Sequence, residues 1–127
     1  MRALVVDDSR AMRKIIAGAL RNLGYETVEA ADGQQALDVL AEGPLPELAT
    51  VDWNMPVMDG LTFVTQVRTN RAYRSMTMMM VTTEAEHGQI VRALAAGAHE
   101  YLIKPFTVDA MQEKLGLLGL LPEVAGA

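Results

Sequence analysis

Cysteine is absent from the 127-residue chain, so disulfides, thiolate metal sites and cysteine nucleophiles are all excluded. Basic residues are in the minority. Eleven Lys and Arg face 16 Asp and Glu, and the formal net charge of -5 argues against a general nucleic-acid binder, which needs a positive surface to neutralise phosphates. No apolar run approaches the roughly 20 residues of a membrane-spanning helix. The first apolar stretch, Ala3 to Val6, meets Asp7 and Asp8 too soon to be the core of a signal peptide. The two histidines, His87 and His99, lack paired spacing and read as surface or satisfied residues rather than metal ligands. What remains is globular: 50% of residues are hydrophobic and 21% charged. The length suits one domain over 1–127 with a single good core. The expectation is a soluble, cytoplasmic protein.

Two kinds of apolar pattern alternate along the chain. Short β-favouring runs occupy Ala3–Val6, Thr27–Ala30, Leu48–Val51, Met78–Val81 and Tyr101–Ile103. Between them lie helical patterns. The first carries Met12, Ile15, Ile16, Ala19, Leu20 and Leu23 on one face, with Ser9 as N-cap and Gly24 just past its end. Further helices are expected at Gln34–Ala41, Leu61–Arg68, Gly88–Ala96 and Val108–Leu118. Strands alternating with helices imply parallel crossovers and an α/β, doubly wound parallel sheet. From about Gly116 the chain becomes an apolar tail, where Gly116 and Gly119 weaken a helix and Pro122 ends it.

Polar residues gather where the strands end. Asp7 and Asp8 follow the first strand, Asp52 ends the third, Thr82 and Thr83 follow the fourth, and Lys104 and Pro105 follow the fifth. In a parallel sheet these ends share one edge, and ligands bind in the crevice outside it. Three carboxylates packed together repel: a like-charged pair about 4 Å apart costs roughly 4 kcal/mol at an effective dielectric near 20. A cation among them relieves this, and an oxygen-only ligand set favours Mg²⁺ over zinc or copper. One aspartate is then free to act as a nucleophile toward phosphorus, with Lys104 and the Thr82 hydroxyl meeting the developing charge. Asp52 is preferred for that role because it ends a strand at the edge. Asp59 sits in a turn-like Met58-Asp59-Gly60, where an aspartate is ordinarily structural. The backbone carbonyl of Asn54 is placed to complete the metal shell.

Taken singly, each piece has an ordinary explanation. Asp7 and Asp8 before a helix fit capping, Lys104 and Pro105 fit a loop, and Thr82 and Thr83 fit a turn. The methionine-rich Met76–Met80 stretch sits where a buried strand is needed, so core packing outweighs a copper site. Joint placement at successive strand ends is what gives the set its weight.

The segments VVDDSRAMRKII, VDWNMPVMDG, MMVTTEA and EYLIKPF resemble the receiver domain of bacterial two-component response regulators, nearest to the stand-alone chemotaxis type of which CheY is the best-known member. The resemblance covers Arg2 to about Leu115. It implies a flavodoxin-like (βα)5 sheet of order 2-1-3-4-5, for which CheY is itself a standard example, so that order is carried over rather than deduced. It further implies that Asp52 accepts a phosphoryl group from a histidine kinase and that Asp7, Asp8, Asp52 and the Asn54 carbonyl hold Mg²⁺. Lys104 contacts Asp52 and then the phosphoryl oxygens, and a cis bond to Pro105 is a candidate feature. Thr82 swings inward, Tyr101 follows it, and the surface of the fourth helix, fifth strand and fifth helix changes. Asn54 and Glu84 occupy positions that tune dephosphorylation.

The match is uneven at the output side. Glu86 and His87 stand where enteric chemotaxis regulators carry basic residues, Thr83 replaces a smaller residue beside the switch hydroxyl, and the last helix runs into the apolar tail. The expected partners are a histidine kinase and an output protein, with a flagellar motor switch as one candidate. No nucleic acid or membrane insertion is expected, and the protein should be a monomer or weak dimer. A single-domain phosphorelay intermediate or a regulator outside motility uses the same pocket. A phosphohydrolase of the haloacid-dehalogenase type would need a general acid two residues after Asp52, where Asn54 cannot serve at neutral pH. A phosphorylation-independent interaction module fits poorly with a complete set of pocket residues. The chain is therefore expected to signal rather than to turn over a substrate.

Overall fold

Four short polar side chains turn the backbone from strand into helix. Ser9, Asp32, Asp59 and Thr107 each accept a hydrogen bond from the backbone N–H three residues on, at 3.2, 2.8, 2.8 and 3.0 Å. Each satisfies an N–H that has no partner within its own helix. A computed structural model describes residues 1–83 and 88–122 of the chain. In chain order the elements are β1 (Arg2–Val6), α1 (Arg10–Asn22), β2 (Glu26–Ala30), α2 (Gly33–Glu42), β3 (Leu48–Asp52) and α3 (Gly60–Thr69). A 3-10 turn at Arg71–Tyr73 leads into β4 (Thr77–Thr83), α4 (Ile90–Ala96), β5 (Glu100–Lys104) and α5 (Val108–Leu117). The five strands form one parallel sheet of order β2-β1-β3-β4-β5.

Alternation along the strands divides the core into two layers. Leu4 and Val6 of β1, Ala49 and Val51 of β3, and Met78 and Met80 of β4 face α2, α3 and α4, meeting Leu40, Phe63, Val64, Val67 and Ala93. Their strand neighbours Ala3, Val5, Leu48, Met79 and Val81 face the other way, onto Ile16, Leu20, Met111 and Leu115 of α1 and α5. Met76, Met78, Met79 and Met80 are all fully buried, so the methionine run packs the core on both sides. The α-helix of α4 starts at Ile90, two residues later than the sequence pattern indicated, and the Gln89 side chain makes no capping bond there.

The described part of the apolar tail, as far as Pro122, folds back onto the domain. Gly116 lies inside α5 without breaking it, and the helix ends instead at Gly119, whose φ of +70° costs a glycine little. Gly119 N–H donates to the Gly116 carbonyl at 3.1 Å and Leu120 N–H to the Leu115 carbonyl at 2.8 Å, a Schellman ending. This turn carries Leu120 into the α1–α5 layer, where the Tyr25 hydroxyl donates to the Leu120 carbonyl. Pro122 then packs against Gly24.

A buried hydroxyl in the middle of the sheet is unpaired among the described residues. Thr50, in the middle of β3, is 1% exposed, and its Oγ1 has no hydrogen-bond partner among the described residues. Thr50→Val keeps the branched shape and removes an unpaired polar group, so it is expected to raise stability by about 1 kcal/mol. Urea unfolding with an unchanged m-value measures this. A loss of stability would show that the hydroxyl is used.

Candidate functional site

β1 and β3 are neighbours, with Val6 opposite Val51, so the residues that follow these partners, Asp7 and Asp52, emerge side by side at the carboxyl edge. Lys104, the last residue of β5, pairs with Thr83 on β4 and extends its side chain across the end of that strand. Its Nζ lies 3.1 Å from Asp7 Oδ2 and 3.2 Å from Asp52 Oδ1. Asp8 is exposed, yet oxygens of Asp7, Asp8 and Asp52 all lie within 4.8 Å of one another. The Lys104–Pro105 peptide bond is cis.

Asp7 is held at every polar atom. Its N–H donates to the Ala30 carbonyl at 3.1 Å, Oδ1 accepts from Ser9 N–H at 2.9 Å, and its carbonyl accepts from Arg13 Nη1 at 2.9 Å. With 1% exposure it is as buried as a core residue. Asp52 is 6% exposed. Burial and then the Asp7 charge push its carboxyl up to about 6, with Asp8 adding to this and Lys104 opposing it. Burial alone would lower the Lys104 ammonium, but Asp52 and Asp7 more than offset it and hold lysine above its ordinary value. Among the described residues one cation thus serves two buried carboxylates with a third at the rim. The site is short of positive charge.

That shortage is the test of whether a metal fits. The donors are oxygens only, they converge on one point, and the most buried pair shares a single ammonium. A hard divalent cation suits this set, whereas zinc or copper would draw on nitrogen or sulfur ligands that are missing from it.

The loop after β3 is anchored on both sides of Asn54. Trp53 and Met55 turn into the core while Asn54, Pro56 and Val57 are exposed. Met58 N–H donates to the Pro56 carbonyl at 2.7 Å around Val57, which has φ +67°. This is a γ-turn of the rare positive-φ kind. It directs Met58 against Gly33, where a Cβ would lie 2.8 Å from the sulfur. Gly60 is demanded by close approach, since a Cβ there would sit 2.5 Å from the Asp52 carbonyl oxygen. Asp59 caps α3 through Thr62 N–H at 2.8 Å, the structural role its turn-like context indicated.

Thr82 follows the Asp52 partner Val81 on β4 and is 1% exposed, and its Oγ1 has no partner among the described residues. Thr83 ends the same strand with its side chain outward. Tyr101 is half-buried in the α3–α4 layer, away from the carboxylates, with Lys114 Nζ 4.2 Å from its ring centroid. Glu84, Glu86 and His87 lie outside the described residues. His99 is satisfied structurally, its Nδ1 accepting from Met78 N–H at 3.2 Å. The structure therefore joins Asp7, Asp8, Asp52 and Lys104 in one cluster and places Tyr101 on a different face. Arg13, which reaches the Asp7 backbone, lies within the VVDDSRAMRKII segment, but nothing in its spacing singles it out from Arg10 or Lys14.

A family model described as "Response regulator receiver domain" matches residues 3–116. The chain belongs to the response regulator receiver family. A chemotaxis protein CheY homolog of Campylobacter jejuni is 44% identical over 116 residues, covering 91% of this chain and 89% of the relative. Chemotaxis protein CheY1 of Helicobacter pylori is 42% identical, with 91% and 94% covered. Among solved structures, CheY4 of Vibrio cholerae superposes with a TM-score of 0.83 at 34% identity, over 91% of this chain and 96% of that one. The receiver domain of a Pseudomonas aeruginosa sensor histidine kinase, described with a magnesium ion coordinated in its active site cleft, gives a TM-score of 0.81 at 31% identity, covering 91% and 94%. As a response regulator, the receiver is a signalling protein that takes its input from a histidine kinase and passes it to a downstream effector. Among the described residues, no helix is long and apolar enough to cross a membrane.

Proposed function

We propose that Asp52 is the phosphoacceptor of this receiver and that its phosphorylation changes a protein-binding surface in chemotaxis or motility. The observation that carries the reading is Lys104 Nζ bridging two buried carboxylates, Asp7 and Asp52, at 3.1 and 3.2 Å. An Asp52 oxygen attacks the phosphorus of a phosphohistidine, the P–N bond breaks, and the imidazole leaves with the electron pair and takes up a proton. Mg²⁺ held by Asp7, Asp8, Asp52 and the Asn54 carbonyl would supply positive charge to the phosphoryl oxygens. Lys104 exchanges part of its contact with Asp52 for those oxygens. The buried Thr82 hydroxyl, unpartnered among the described residues, gains an acceptor when it turns toward them.

Output follows from that new bond. Turning Thr82 vacates space beside Tyr101, which moves inward and alters the α4–β5–α5 face, where Val91 and Leu94 are exposed. Thr83 lies beside this path, and Asn54 and Glu84 set how fast water removes the phosphoryl group. Phosphorylation shifts the population only by the difference in its interaction with the two states. The names of the relatives support a chemotaxis role, with a flagellar motor switch as output partner and a cytoplasmic setting.

Trp53, the only tryptophan, follows the nucleophile directly and provides the test. Its fluorescence is expected to change with Mg²⁺ and again on adding acetyl phosphate, in step with a single phosphoryl adduct in the intact mass. Mg²⁺ binding without any adduct, under conditions that label a control receiver, would overturn the phosphoacceptor assignment.

A further inference from the structure

We propose that Arg13 is the positioning residue that aims the Asp8 carboxylate at the metal, an inference that rests on the Mg²⁺ reading above. Asp8 is the one member of the cluster whose side chain is exposed and without a hydrogen bond among the described residues. Its aim therefore depends on its backbone. That backbone is fixed at the preceding peptide group, whose oxygen, the Asp7 carbonyl, accepts from Arg13 Nη1 at 2.9 Å. The rest of Asp7 is secured independently by Ala30, Ser9 and Lys104. Removing Arg13 would leave Asp7 in place and release the plane of the peptide that carries Asp8.

Arg13 is itself held for this task. Its Nε lies 3.4 Å from Glu29 Oε1 on β2, and its side chain is 15% exposed. Glu29 is also engaged through its other oxygen by Lys14 Nζ at 3.0 Å, so the α1–β2 link survives without Arg13. A mere clasp between elements would duplicate Lys14. The contact that Lys14 does not make is the one to the Asp7 carbonyl.

Three roles for Arg13 predict different signs. As an extra positive charge near three carboxylates, it would weaken Mg²⁺ binding, and its removal would tighten binding. As a clasp, its removal would lower thermal stability and leave Mg²⁺ affinity alone. As a positioning residue, its removal weakens Mg²⁺ binding, with the 10- to 100-fold range typical of residues that orient metal ligands.

The experiment is calorimetric titration of the full chain with MgCl₂ for wild type, Arg13→Met, Arg13→Lys, Asp8→Asn and the Arg13→Met/Asp8→Asn double variant. The expected result is about tenfold weaker binding for Arg13→Met. Arg13→Lys, which keeps an N–H donor on a side chain of similar length, should recover a substantial part of the loss. In the Asp8→Asn background Arg13→Met should cost less than about twofold, because the residue it aims is gone. Equal or tighter Mg²⁺ binding in Arg13→Met overturns the inference, as does an undiminished loss in the Asp8→Asn background. Absence of saturable Mg²⁺ binding by the wild type overturns the metal reading itself, and the wild-type titration shows it before any variant is compared.

Discussion

Asp52→Asn is expected to make the metal-free protein more stable at pH 7, by up to about 3 kcal/mol. The carboxyl of Asp52 is raised from 3.8 to about 6 by burial and by Asp7, against the pull of Lys104. Between those values the folded protein holds a proton that the unfolded chain has released. The stability from this group is therefore fully present below pH 3.8 and is lost as pH rises through about 6. Asparagine keeps the shape without the charge. The difference between variant and wild type should be near zero at pH 4, grow through pH 5 to 6 and level off by pH 7. Chelator-treated samples unfolded in urea across this range measure it. Mg²⁺ should narrow the gap, because it stabilises the wild type far more than a variant missing a ligand. A variant less stable than wild type at pH 7 without metal would mean that Lys104 alone satisfies the pair.

Lys104→Met should move stability the other way, by about 3 kcal/mol at pH 7 without metal. Its ammonium is shared by Asp7, 1% exposed, and Asp52, 6% exposed. Removing it leaves two buried carboxylates facing each other with no counter-charge between them. The loss should shrink as pH falls, since protonating Asp52 ends the repulsion. Saturating Mg²⁺ should also restore much of the stability, about 2.7 kcal/mol at a concentration 100 times Kd. Phosphorylation of such a variant is expected to be uncoupled from the output face, since Lys104 links Asp52 to β5. Thermal unfolding with chelator and with Mg²⁺ distinguishes this from simple loss of packing, which Mg²⁺ would not repair.

Much of this arrangement was legible in the chain because it depends on side-chain type at strand ends. Asp7, Asp8, Asp52, Thr82 and Lys104 each follow or end a β-favouring run, and parallel pairing alone brings such positions to one edge. Asp59 could be set aside from Asp52 by its turn context, and it caps α3. The methionine run was readable as core because it sits where a strand buried on both faces is needed.

What escaped the sequence depends on backbone atoms and on close approach. Arg13 acts through a carbonyl oxygen, which has no signature of its own in the sequence. The γ-turn at Val57 places a β-branched residue at positive φ, against its intrinsic preference, and only the surrounding anchors Trp53, Met55 and Met58 explain it. Gly116, expected to weaken the last helix, is tolerated inside α5, where Met111 and Leu115 supply the packing. The apolar tail could equally have met a second molecule. Its return to Tyr25 and Gly24 follows from the turn at Gly119. Glu84, Glu86 and His87, where the output reading is most exposed to test, lie outside the described residues.

The central claim is that Asp52 takes the phosphoryl group. The most direct measurement is transfer from a phosphorylated histidine kinase in Mg²⁺, followed by borohydride reduction of the acyl phosphate and peptide mapping. Homoserine is expected at position 52 alone, formed only with Mg²⁺ and missing in Asp52→Asn. Homoserine at position 7, 8 or 59, or no reduction product while a control receiver is labelled by the same kinase, would contradict it.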